Sequence, residues 1–122
     1  MLIELKVDSD TPLKAAIEII QYAVFYIFSR LHYPSDMLDS KALLLAKTIQ
    51  LRVLAPQTYY EDYNLAWMVP SLNTALTKFL SEKKLQIQMD FNFLWFPSTF
   101  VWPCSDEILF GALTDLSSVQ WS

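Results

Sequence analysis

From Pro12 onward, apolar residues return every three or four positions. Leu13, Ile17, Ile20, Val24, Ile27 and Leu31 form one stripe, with Lys14, Glu18, Gln21 and Ser29 on the other side. That is the period of an amphipathic helix, and the stripe is its expected core face. Thr11 is placed to accept a hydrogen bond from an orphan amide, and Pro12 sits at the first helical position, where its missing N–H costs nothing. A helix is therefore predicted over Pro12 to His32. Tyr22, Phe25, Tyr26 and Phe28 widen its apolar arc beyond what one neighbour covers, which places it centrally. Pro34 pushes Tyr33 out of helical geometry. A second helix is predicted from Met37 to Leu54, with Leu38, Ala42, Leu45, Ile49 and Val53 inward and Pro56 as its stop. Thr58 and Glu61 have capping-box spacing, predicting a short helix through Trp67. Pro70 and Ser71 then open a helix over Leu72 to Lys83, with Leu72, Ala75, Leu76, Phe79 and Leu80 inward.

The period changes after Lys84. Leu85, Ile87, Met89, Phe91, Phe93 and Trp95 alternate with Gln86, Gln88, Asp90, Asn92 and Leu94, which predicts a half-buried strand over residues 85–95. Phe96-Pro97-Ser98-Thr99 suggests a turn into Phe100-Val101-Trp102 as a hairpin partner over 99–102, stopped by Pro103. Met1 to Val7 alternates loosely and reads as a short strand. Ser105, followed by Asp106 and Glu107, starts a last helix to about Leu116, and the tail from Val119 to Ser122 adds a short strand or wraps. The predicted architecture is α+β and helix-rich, one globular domain over residues 1–122. It has about five helices and a small, mostly antiparallel sheet made of the N-terminal strand and the 85–95/99–102 hairpin.

Composition narrows the function classes. At 122 residues the chain is long enough to bury a core without staples. Its 53% apolar and 18% charged content compares with about 45–50% and about 25% in typical domains, so either the core is large or apolar surface awaits a partner. A formal charge of −4 leaves no basic footprint for a phosphate backbone, and no nucleic-acid partner is expected. The longest apolar stretch, Ala15 to Phe28, is shorter than the roughly 20 residues a bilayer span needs. No membrane span is expected. With one cysteine, Cys104, no internal disulfide can form, and no secretory leader is visible, so a cytoplasmic setting is expected. The single glycine, Gly111, excludes phosphate-cradling Gly-rich loops.

Candidate chemistry is sparse. Cys104 precedes a predicted helix start, where the dipole lowers a thiol pKa, and His32 is the only histidine to serve it as a base. A small buried thiol is the simpler reading of Cys104. One cysteine and one histidine cannot build a structural zinc site, and the carboxylate neighbours Asp8/Asp10, Asp36/Asp39, Glu61/Asp62 and Asp106/Glu107 read as helix-start charges, caps or solvated loops. No cofactor and no metal are expected. What stands out is aromatic clustering. Phe91, Phe93, Trp95, Phe96, Phe100 and Trp102 are six of the chain's eighteen aromatics, within twelve residues. Phe91, Phe93 and Trp95 share one strand face and read as core. Phe96, Phe100 and Trp102, with Trp121, are the expected partner-binding surface, because aromatic anchors dominate interface hot spots. Tyr59, Tyr60 and Tyr63 beside Glu61 and Asp62 form a second, acidic aromatic patch. The sequence thus points to a non-catalytic protein-interaction module: an oligomeric subunit, an adaptor, or a small acidic inhibitor or immunity-type protein. The alternatives are a thiol enzyme using Cys104, and a binder of a small apolar ligand in an interior lined by Trp67, Phe79 and Trp95.

Overall fold

A computed structural model describes residues 2–6, 11–32, 47–101 and 103–121. Along them run β1 (Leu2–Leu5), α1 (Pro12–His32), β2 (Thr48–Ala55), a 3-10 turn (Gln57–Tyr60), α2 (Met68–Glu82), β3 (Gln88–Trp95), α3 (Asp106–Ala112) and β4 (Ser117–Ser118). The fold is α+β. Its sheet has the order β1-β2-β3-β4, with the first two pairings parallel and the last antiparallel. The predicted sheet was mostly antiparallel, and this is the main correction: β1, β2 and β3 are successive parallel strands joined through α1 and α2.

α1 begins and ends as expected, and Thr11 Oγ1 accepts from the Lys14 amide at 3.2 Å. The stretch from Thr48 to Leu54, assigned to the second predicted helix, belongs to the strand Thr48–Ala55; Met37 to Ala46 of that prediction lies outside the described residues. Ile49 and Val53 are four apart and share a face in a helix and in a strand alike. Leu51, also on that face and fully buried, decides for the two-residue period, and the β-branched Thr48, Ile49 and Val53 favour it. The capping-box helix shrinks to the 3-10 turn. Asp62 takes a left-handed φ of 67°, which ends any helical run before Trp67. α2 starts four residues ahead of its predicted start, because Pro70 falls in the first turn, where no intrahelical N–H is required. β3 begins at Gln88 rather than Leu85.

The predicted hairpin does not form. Residues 97–101 turn, with the Phe100 amide donating to the Pro97 carbonyl. The antiparallel neighbour of β3 is β4, pairing Leu94 with Ser118 and Trp95 with Ser117. Upstream of that short pairing, Asn73 of α2 stands in for a strand: its amide donates to the Phe91 carbonyl at 3.1 Å and accepts from the Phe91 N–H at 2.6 Å. Ser105 caps α3 as anticipated, accepting from the Ile108 amide, but the helix stops at Ala112 rather than Leu116. Among the described residues there are three α-helices where about five were predicted.

Two cores lie on opposite faces of the sheet. Ile49, Leu51 and Val53 of β2 and Met89, Phe91 and Phe93 of β3 face α1 and α2. Leu54, packed with Leu94 on the other face, meets Phe96, Phe100, Ala112 and Leu109 around α3. Towards the amino ends that second face turns polar, where Arg52 pairs with Asp90 at 2.7 Å and Asn92 donates to Ser118. β1 is tied to α1 by Lys6 and Glu18, 3.0 Å apart.

Candidate functional site

The helix α1 meets the sheet through its small side. Ala15, Ala16, Ile19, Ala23, Tyr26 and Ile27 are buried. Three alanines along the contact let the helix backbone approach the strands, which bulky side chains at those positions would prevent. The stripe that the sequence marked as core is rotated away. Leu13, Ile17, Val24 and Leu31 are exposed, Val24 at 54%, and only Ile27 of the stripe is buried, with Ile20 partly so. The reason is geometric. One helix cannot bury both of its apolar sides against one sheet, and the close-packing side wins. Phe25 at 69% and Phe28 at 60% stand beside the stripe, and Trp67 at 60% is exposed just ahead of α2. Ile17, Ile20, Val24 and Phe25 with Met68 and Leu72 line a groove of about 440 Å³ between α1 and the start of α2. The spacing of Leu13, Ile17, Ile20, Val24, Ile27 and Leu31 runs 4-3-4-3-4, and of these Leu13, Ile17, Val24 and Leu31 remain exposed.

The expected aromatic surface divides in two. Phe96 is 1% exposed and stacks on Phe100, 4.0 Å between centroids and 13° between planes. This pair belongs to the core around α3 and offers no exposed anchor at Phe96. Trp102 lies outside the described residues. Tyr59 and Tyr60 are also buried, for a local reason: the 3-10 turn after β2 tucks them over the strand ends. The Tyr60 hydroxyl reaches the carbonyls of Leu94 at 2.8 Å and Val53 at 3.1 Å, and burial drives its pKa well above the usual tyrosine value.

Tyr60 and Tyr63 of the acidic aromatic patch and Trp121 of the other expected surface are brought to one place. With Trp95 and Glu61 they border a cavity of about 180 Å³ beyond the carboxyl ends of β2 and β3. Tyr60 meets Trp121 edge to face, 5.6 Å and 86° apart, and lies 6.4 Å from Trp95 at 60°. The Trp95 indole N–H donates to Ser117 Oγ at 3.0 Å. Sequence reasoning assigned Trp95 to the core and did not join it to Tyr63 and Trp121. Only the chain reversal after β2 and the return of the tail along β3 place them together.

Cys104 is half-buried, and His32 is exposed, its ring 4.2 Å from that of Phe28. No hydrogen bond joins Cys104 to His32, and the described residues contain no cluster of metal-ligating side chains. Trp67 and Phe79 face solvent, so they do not line an interior with Trp95. No described helix is long and apolar enough to cross a membrane. No family model matches the chain, and comparison with curated proteins and with solved structures gives no match either.

Proposed function

We propose that the protein is a non-catalytic interaction module that docks a partner helix on the outer stripe of α1. The observation carrying this reading is the exposed face formed by Leu13, Ile17, Val24, Phe25, Phe28 and Leu31. Contiguous exposed apolar surface of this kind marks interaction sites, and aromatic anchors in it are typical hot spots. The groove beside Met68 and Leu72 gives the stripe a floor in which a side chain can seat. The chain itself carries a helix with an exposed apolar face, namely α1, so a second copy is the partner most directly supplied. Symmetric pairing needs only one self-complementary patch, and twofold dimers are the commonest oligomers.

Sedimentation equilibrium across the micromolar range tests this. The wild type should populate a dimer, and a Phe25→Ser/Phe28→Ser variant should remain monomeric with near-native unfolding. A wild type that stays monomeric throughout would rule out self-pairing through α1.

A further inference from the structure

The cavity at the carboxyl ends of β2 and β3 has a chemistry of its own, independent of α1. It is bordered by four aromatic residues, Tyr60, Tyr63, Trp95 and Trp121, together with Gln57, Val119 and Gln120, and its rim carries the Glu61 carboxylate. None of its described lining residues is cationic. Two of the ring donors are already engaged, Tyr60 with backbone carbonyls and Trp95 with Ser117, as is the Gln57 amide with the Phe96 carbonyl. Such walls, without a cation and with a carboxylate at the rim, do not suit an anion. They suit a cation, because ring faces carry the negative end of the aromatic quadrupole and attract positive charge most strongly when it is desolvated.

The walls are also held in place before any ligand arrives. Tyr60 is buried and meets the Phe93 ring edge to face at 5.9 Å, and Trp121 packs on Phe93 at 5.3 Å and 86°. Rings fixed by such packing need little ordering on binding. Tyr63 and Glu61 are exposed, which makes them the entrance. The left-handed backbone at Asp62 reverses the chain so that both neighbours border the opening. The lining is soft and anionic at one edge, and the space is small. An alkylated ammonium matches it in size, shape and charge, since methyl groups spread the positive charge over an apolar surface and leave little hydration to lose.

We propose that this cavity binds an alkylated ammonium group, with Tyr63, Trp95 and Trp121 supplying ring faces over the buried Tyr60 and Glu61 the opposing charge. The group is carried either by a free quaternary amine or by a methylated lysine side chain in a peptide. Intrinsic tryptophan fluorescence of the full chain, titrated with four probes, tests it. The probes are choline, a trimethyllysine peptide, the same peptide unmethylated, and 3,3-dimethylbutanol, the neutral isostere of choline. Saturable quenching is expected with choline, the trimethyllysine peptide or both, and about tenfold weaker binding is expected for the matching uncharged or unmethylated probe. Choline binding as well as the peptide assigns a free small cation; tight binding by the peptide alone assigns a side chain.

Glu61→Gln and Tyr63→Ala should each weaken binding several-fold with unfolding unchanged, since both residues are exposed. Trp121→Ala should abolish it, but that variant also loses core contact, so the first two decide. Neutral isostere binding equal to choline, or no saturable response to either cation, would overturn the assignment. Glu61→Gln should leave self-association untouched, so failure here and failure of the α1 interface are read separately.

Discussion

The outer stripe of α1 and the strand segment from Phe91 to Phe96 carry similar apolar content and end in opposite places. The stripe, with the cleaner helical spacing, stands largely in solvent, Ile27 alone being buried and Ile20 partly so. The segment, with its aromatic excess and a proline turn at its end, is sunk into the two cores, Phe91, Phe93 and Phe96 all being at most 1% exposed. Periodicity shows that a residue set shares a face; it does not show which face a sheet accepts. Here side-chain size decides. Ala15, Ala16 and Ala23 permit close approach to the sheet, while phenylalanines on a strand between helices fill the space that approach leaves.

Substitutions on the two sides of this contrast should differ sharply. Phe93→Ala, at a fully buried ring touching Phe91, Tyr60 and Trp121, should cost about 3–5 kcal/mol in urea unfolding. Ala23→Leu, at a fully buried helix contact, should cost about 1–3 kcal/mol by overpacking. A small effect there would mean that the alanine side does not set the approach.

Tyr60→Phe removes the hydroxyl shared by the Val53 and Leu94 carbonyls and should cost about 1–3 kcal/mol at neutral pH. It should also flatten the alkaline limb of stability. The folded-state pKa of Tyr60 is raised by burial, so the folded protein keeps a proton that the unfolded chain releases from about pH 10 upward. Wild-type stability is therefore whole below that pH and falls above it, and the variant should fall less steeply. Tyr26, also raised chiefly by burial, acts in the same direction and leaves part of the slope. Smallest of all, Val24→Ser on the exposed stripe should change monomer stability by no more than about 0.5 kcal/mol.

Much of the fold was legible where local chemistry and packing agree. Thr11 and Pro12 start α1, Ser105 starts α3, and the alternation into Trp95 marks β3. β2 was misread because residues four apart satisfy both periods, and the deciding Leu51 lies between them. The parallel sheet was invisible because pairing direction depends on how crossovers pack, which no short stretch of sequence encodes. For the site, aromatic identity was readable in Tyr60, Tyr63 and Trp121, but their convergence on Trp95 requires strand ends and tail to meet. The exposed side of α1 was hidden for a related reason: both of its sides are apolar, and only the sheet selects between them.

Alkylation of a single thiol placed at Val24, with Cys104 replaced by serine, tests the central contrast most directly. In nanomolar solution the thiol should react at the rate of an exposed cysteine, and it should become protected as concentration rises into the micromolar range and a second α1 covers the stripe. Slow reaction at every concentration would place Val24 in the monomer core, and fast reaction at every concentration would mean that no second copy covers it; either result contradicts the account.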